Sequence, residues 1–337
     1  MVGAGVMGSA AARALARRGR KVVLLERYRI GHDHGSSHGP SRIFRFSYHE
    51  AGYVRMAMDA LRLWRELEPE AGQSLLTPTG GLDIGTMVPF HAAALEEAGA
   101  AFELLEPAEV RDRFGVSVDG EALFQPDAST VAADRAWAAL ASGAVDAGAE
   151  LREDAAAWRL GPSAGGVTVE LQSGERIEAR AAVVTAGAWA RSLLAPADID
   201  LPVRPTRETV AYFPVPDPDR APAIVDWDAP AIYALRSPGE GIKAGRHQAG
   251  PEIDPGLPGE PDVASVERVG AWIRERFPGA DGVPTRAETC LYTNTDDGRF
   301  VLERHGRIVV GSPCSGHGFK FAPLIGERLA DLAEEAI

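Results

Sequence analysis

Gly3-Ala4-Gly5-Val6-Met7-Gly8 opens this chain, and the reading of that stretch decides the fold. The spacing is G-x-G-x-x-G. Gly3 permits a tight turn, Gly5 lets the backbone approach a pyrophosphate, and Gly8 allows close packing of the helix that follows. Residues 9–18 (SAAARALARR) predict that helix, with its N-terminus toward the phosphates. Residues 21–26 (KVVLLE) predict a short buried strand ending in Glu26. A carboxylate there accepts from ribose hydroxyls and disfavours a 2′-phosphate. Arg27 beside it is counted with the dinucleotide site. Strand, turn, helix and strand together begin a doubly wound α/β sheet. The first strand is nearly absent, with only Met1 and Val2 ahead of Gly3. A central strand normally needs about five residues. The expectation is therefore a truncated or late-assigned start, and a turn that holds its ligand less well than its motif promises.

Further along, helices are expected over 53–68, 88–100, 132–148, 263–277 and 322–336. Strands are expected at 79–84 (TGGLDI) and 307–311 (RIVVG), and a hairpin followed by a buried strand (AAVVTAG) within 165–186. Residues 201–260 carry β-like runs (ETVAYF, AIYAL, GIKAG) between Pro and Gly, which predicts an antiparallel sheet. The order implies a discontinuous nucleotide-binding domain (1–75, 130–200 and 285–337) with an inserted antiparallel-sheet substrate domain (76–129 and 201–284).

Length, 337 residues, suits that arrangement. A net charge of −13 argues against nucleic acid, because phosphate backbones would be repelled. No stretch approaches the roughly 18 apolar residues of a membrane span, and no signal peptide is read at the N-terminus. Two cysteines, Cys290 and Cys314, are too few for a disulfide framework or a Cys-rich metal site, so no metal is expected and a cytoplasmic compartment fits best. Lysine occurs only at positions 21, 243 and 320, against 32 arginines. A lysine retained in so biased a chain flags a site that needs a compact, titratable ammonium.

The glycine spacing alone does not separate FAD from NAD. Two distant segments do: GSSHGPSRIFR at 35–45 and GSPCSGHGFKFAP at 311–323. With VGAGVMGSA, VVTAGAW, GIKAGRH and CLYTNT they occur in one order over nearly the whole chain. In these pieces the sequence resembles the monomeric sarcosine oxidase and N-methyltryptophan oxidase family, within the D-amino-acid-oxidase-like flavoproteins. The resemblance implies a Rossmann-type FAD-binding domain and covalent attachment of the flavin to the cysteine opening CLYTNT, Cys290. Cys314 is the competitor, beside the Gly-rich turn that includes Gly316, Gly318 and Phe319.

The resemblance also implies the remaining roles. His38 and Arg42 belong to the loop over the flavin, where a cation stabilises the reduced, anionic form. Arg45 and Lys320, 275 residues apart, match a clamp for a substrate carboxylate, as a fork and a point charge. Lys243 matches the oxygen-activating lysine, and a fixed ammonium stabilises developing superoxide. His247, four residues on, would bond substrate. Tyr233 and Tyr292 would wall the pocket, and Glu50 falls near a mobile-loop acid. The expected reaction is oxidation of a small N-methyl amino acid to the demethylated amino acid, formaldehyde and H2O2, by a monomer acting on O2. Which amine remains open: sarcosine, N-methyltryptophan, a cyclic imino acid or an Amadori adduct. A dehydrogenase of the same fold, or a flavin-binding subunit of a hetero-oligomeric amine oxidase, is the alternative.

Overall fold

In the computed structural model, residues 1–228 and 230–337 are described; residue 229 lies outside them. The nucleotide-binding sheet is assembled around a single residue. Val2 bridges in parallel to Leu25 on one side and Val184 on the other. Its neighbours are Val23–Leu25, paired in parallel with Glu150–Arg152, and Ala182–Val184, paired in parallel with Ile308–Ser312. Val301–His305 adds an antiparallel edge. The short first strand thus keeps its ladder on both sides. Val2 N donates to Val183 O at 2.8 Å, Gly3 N to Leu25 O at 2.9 Å, and Thr185 N to Val2 O at 2.9 Å. The turn is thereby hydrogen-bonded to the strands on both sides.

Helices Val6–Arg17, Ala133–Asp146 and Ala322–Glu335 cover one face. Their contact surface is rich in alanine, and small side chains let helices and sheet approach closely. The other face is covered by an antiparallel layer of three strands, Ala157–Ser163, Gly166–Leu171 and Arg176–Ala179, of which the last two form the expected hairpin.

The second sheet has eight strands, in the order Arg286–Asn294, Arg204–Phe213, Gly241–Arg246, Ile232–Ser237, Ala223–Asp226, Gly81–Ile84, Ala122–Gln125 and Glu103–Leu105. It is antiparallel except where Ala223–Asp226 runs parallel to Gly81–Ile84, the joint between the two inserted segments. The expected boundary at 285 is also corrected. Arg286–Asn294 pairs along nine positions with Arg204–Phe213, so it belongs to this sheet and not to the nucleotide-binding one.

Strand periodicity then decides which residues face the site. Ala211, Phe213, Ala234, Ile242 and Ala244 pack against helix Val263–Arg276. The alternate residues Val210, Tyr233, Leu235 and Lys243 turn to the opposite face, where they line a cavity between the sheets. The helix expected over 53–68 runs longer, Ala51–Ala71, and ends at Gly72 in the left-handed conformation.

Candidate active site

One cavity of about 440 Å³ runs from the glycine turn to the large sheet. At its first end, Gly3 has φ +95°, and a Cβ there would lie 2.6 Å from Thr185 O. A Cβ on Gly8 would lie 1.9 Å from Gly3 O, so the helix start and the turn touch backbone to backbone. Gly3, Gly5, Val6 and Met7 form the cavity wall, while Ala4 and Gly8 stand behind it. Glu26 is buried in that wall. Burial opposes its ionisation, but His32 and the amides of Tyr28 and Ala4 outweigh this and hold its carboxyl below the usual range. Arg27 also lines the cavity, 5.8 Å from the ring of Trp189.

Next comes the loop before strand Arg42–Phe44. Arg42 ties it together, donating to Ser36 O at 3.0 Å, His38 O at 2.6 Å and Ser41 O at 2.9 Å. Its guanidinium also reaches Cys290 Sγ at 3.8 Å. His38 gives its carbonyl to Arg42 and its ring is not part of the wall; burial and the Arg42 charge push it down to about 4. Cys290 and Cys314 both line the cavity but differ in setting. Cys314 Sγ takes the Thr293 amide at 3.3 Å, and burial pushes its thiol up. Cys290 instead has a cation at its sulfur.

At the far end two cations are buried. Arg45 is 8% exposed and Lys320 3%. Arg45 lies between the rings of Tyr48, at 4.4 Å, and Trp227, at 4.9 Å, and donates to Ser47 O. Lys320 Nζ donates to Tyr48 Oη at 2.8 Å and to His317 O at 3.0 Å. Tyr48 therefore touches both, which brings together residues far apart in sequence. Neither cation has a carboxylate within 4.0 Å among the described residues. Burial, followed by the charge of Arg45, pushes the Lys320 ammonium well below its ordinary value. His247, just beyond the end of strand Gly241–Arg246, feels burial and both cations and is pushed down to about 4. Tyr292 packs so close to the 311–323 turn that a Cβ on Gly316 would lie 2.2 Å from its ring. Gly316, Gly318 and Phe319 line the cavity with Lys320.

Lys243 is 4% exposed and also lines the cavity. Burial and the Arg42 charge push it down to about 7. Glu50 does not reach the cavity; it precedes helix Ala51–Ala71 at the surface, 3.5 Å from Arg299.

Sequence reasoning missed Trp189, Trp227 and His317 as wall residues, and Tyr48 as the side chain that joins Arg45 and Lys320. His317 lay inside the SGHGFKF segment, and Tyr48 three residues beyond Arg45, so a signal was present. Trp227 had none, because its place depends on the large sheet. The cavity is ready for a dinucleotide with a flavin. Buried polar atoms on its wall lack partners among the described residues, including Ser41 Oγ, Trp189 Nε1, Thr293 Oγ1 and Ser312 Oγ. Such atoms are normally satisfied, and the glycine turn leaves no room for side chains where phosphates would lie.

A doubly wound sheet with a glycine turn, and a second sheet closing over its cavity, define a dinucleotide-dependent oxidoreductase. Residues 1–332 match the model of the DAO family, FAD dependent oxidoreductase. The chain is 34% identical to the probable sarcosine oxidase of Arabidopsis thaliana over 99% of its length and 87% of that protein. It is 32% identical to the monomeric sarcosine oxidase of Bacillus sp. (strain B-0618), covering 99% and 91%. Among solved structures, NikD in its open form, an amino acid oxidase of nikkomycin biosynthesis, superposes with a TM-score of 0.88 at 30% identity, covering 99% and 93%. The chain belongs to the FAD dependent oxidoreductase family, as a member of the sarcosine oxidase type.

Proposed function

We propose that this chain oxidises the secondary amine of a small N-methyl amino acid, working as a monomer in the cytoplasm with O2 as acceptor. The observation that carries the reading is the pair of buried cations, Arg45 and Lys320, on the wall of one cavity with no carboxylate within 4.0 Å among the described residues. Buried charges are normally paired, so the missing anion is assigned to the substrate.

FAD would be held by the glycine turn, Glu26, Arg27, Arg42 and the 311–323 turn, and when bound it would accept a hydride equivalent from the carbon attached to the substrate nitrogen. Cys290 is the proposed point of covalent attachment. The Arg42 guanidinium reaches that sulfur at 3.8 Å. Arg45 takes the substrate carboxylate as a planar fork and Lys320 adds a point charge. Tyr233 and Tyr292 wall the amine and exclude water. His247 stays neutral at working pH, so it receives the amine without repelling it. The amine must itself be neutral, because its lone pair stabilises the developing imine. Water then releases formaldehyde and the demethylated amino acid. Lys243 serves the second half-reaction, where O2 leaves as H2O2.

The test is direct. The purified protein is denatured and weighed intact. A retained increment equal to FAD, mapped to the Cys290 peptide and lost in Cys290→Ser, supports the attachment. Sarcosine and N-methyltryptophan are then supplied aerobically. Formaldehyde and H2O2 in equal amounts support the oxidase reading; reduction of the flavin without H2O2 would assign electrons to another acceptor.

A further inference from the structure

Even spacing on strand Arg286–Asn294 puts Glu288 on the same face as Cys290 and Tyr292. Glu288 is not among the matching family pieces, yet both its carboxylate oxygens are fixed. Tyr212 Oη donates to Oε1 at 2.6 Å and Arg286 Nη1 to Oε2 at 2.5 Å. Arg286 is itself seated 3.6 Å over the Tyr212 ring and bound to Glu240 at 2.6 Å. So anchored, Glu288 Oε1 stands 4.0 Å from Lys243 Nζ. Burial opposes ionisation of Glu288, but the Tyr212 and Arg286 bonds and the Lys243 charge hold its carboxyl below the usual range.

The other groups around Lys243 do not replace it. From the neighbouring strand, Tyr212 offers a ring face at 5.7 Å. From the flavin loop come Arg42, a second cation, and His38, neutral near pH 7. Arg286 and Cys290 share the strand of Glu288. Asp134, at the start of helix Ala133–Asp146, spends its carboxylate on the Gly39 amide at 2.6 Å. On the remaining side the register partner is apolar Leu235. Among the described residues Glu288 is therefore the carboxylate within 4.0 Å of Lys243, set against two guanidinium groups.

We propose that Glu288 is a positioning residue for the oxygen reaction, holding the Lys243 ammonium in place and in its charged form. The inference rests on the oxygen role given to Lys243 above. In that step O2 takes two electrons and one proton from the reduced cofactor and a second proton from water, leaving as H2O2. The fixed positive charge is needed as the first electron arrives.

The scarcity of lysine makes a direct measurement possible. With three lysines in the chain, one of them exposed Lys21, the protein labelled with 13Cε-lysine gives a resolvable NMR titration, and Lys243→Met assigns the signal. Glu288→Gln keeps the shape and removes the charge. Its Lys243 titration should move down by about one pH unit, with Glu288→Asp restoring most of it. In stopped flow, the basic limb of the flavin reoxidation profile should move by the same amount, while anaerobic reduction by substrate is unchanged. A Lys243 titration unmoved in Glu288→Gln overturns the inference. Wild-type reoxidation in Lys243→Met would overturn the oxygen role itself, and the inference with it.

Discussion

Arg45 shows what a single side chain contributes at this site. Its guanidinium is clamped between two aromatic faces, so little rotamer freedom is left to lose when a carboxylate arrives. Lysine cannot reproduce the fork or the stacking. Arg45→Lys should weaken a carboxylate inhibitor by roughly 10- to 100-fold, the scale of a charge-assisted hydrogen bond, as read from flavin absorbance titrations. Lys243 acts on the other half-reaction. Lys243→Met should slow reoxidation by O2 by about 10²-fold or more, with anaerobic reduction by substrate within a few-fold of wild type. Loss of both rates together would count against the assignment. Both lysines on the cavity wall were visible in advance as survivors in an arginine-rich chain. What the sequence did not reveal is that they sit apart: Lys320 shares Tyr48 with Arg45, whereas Lys243 lies beside Arg42 and Glu288.

At the scale of elements, two devices place the site. One is the glycine turn, whose contacts are backbone to backbone. Gly8→Ala should therefore push the helix off the turn, and the purified variant should lose bound flavin as well as thermal stability. The other is the long helix Ala51–Ala71. Trp64, fully buried within it, donates its indole N–H to Lys320 O at 2.7 Å and stacks over Phe319. That bond fixes the turn that aims the lysine. Trp64→Phe leaves the Lys320 carbonyl buried without this donor, and urea unfolding should record a loss of about 1–3 kcal/mol. These elements were read from the sequence in type and approximate extent. The misplaced boundary at 285 has one cause. Arg286–Asn294 follows a helix and precedes the last nucleotide-binding strands, so sequence order alone assigns it to the wrong sheet; only its nine-position pairing with Arg204–Phe213 corrects this.

For the whole molecule, burial of neutral histidines sets the response to acid. His38 and His247 are pushed down to about 4 and His91 to about 3, all by burial first. In the unfolded chain they titrate near 6.5. Unfolding then takes up protons below that value, so the stability they support is complete above pH 6.5 and is lost as pH falls toward 4. Thermal unfolding at pH 7, 5.5 and 4.5 should show a falling midpoint, and a flat profile would contradict the neutral burial of these rings. No helix among the described residues is long and apolar enough to cross a membrane.

The sequence by itself determined the dinucleotide turn, the alternation of helices and strands, the flavin family and most of the charged residues on the cavity wall. These are local patterns, written in spacing and residue type within short stretches. Tertiary structure alone decided which cation meets which partner. Arg45 and Lys320 meet on Tyr48, Lys243 meets Glu288, and Trp227 closes the pocket, because strand register fixes which alternate side chains share a face across segments distant in sequence. The opening turn illustrates both parts. Its glycines were legible at once, but that Val2 is bridged to strands on either side follows only from the tertiary structure.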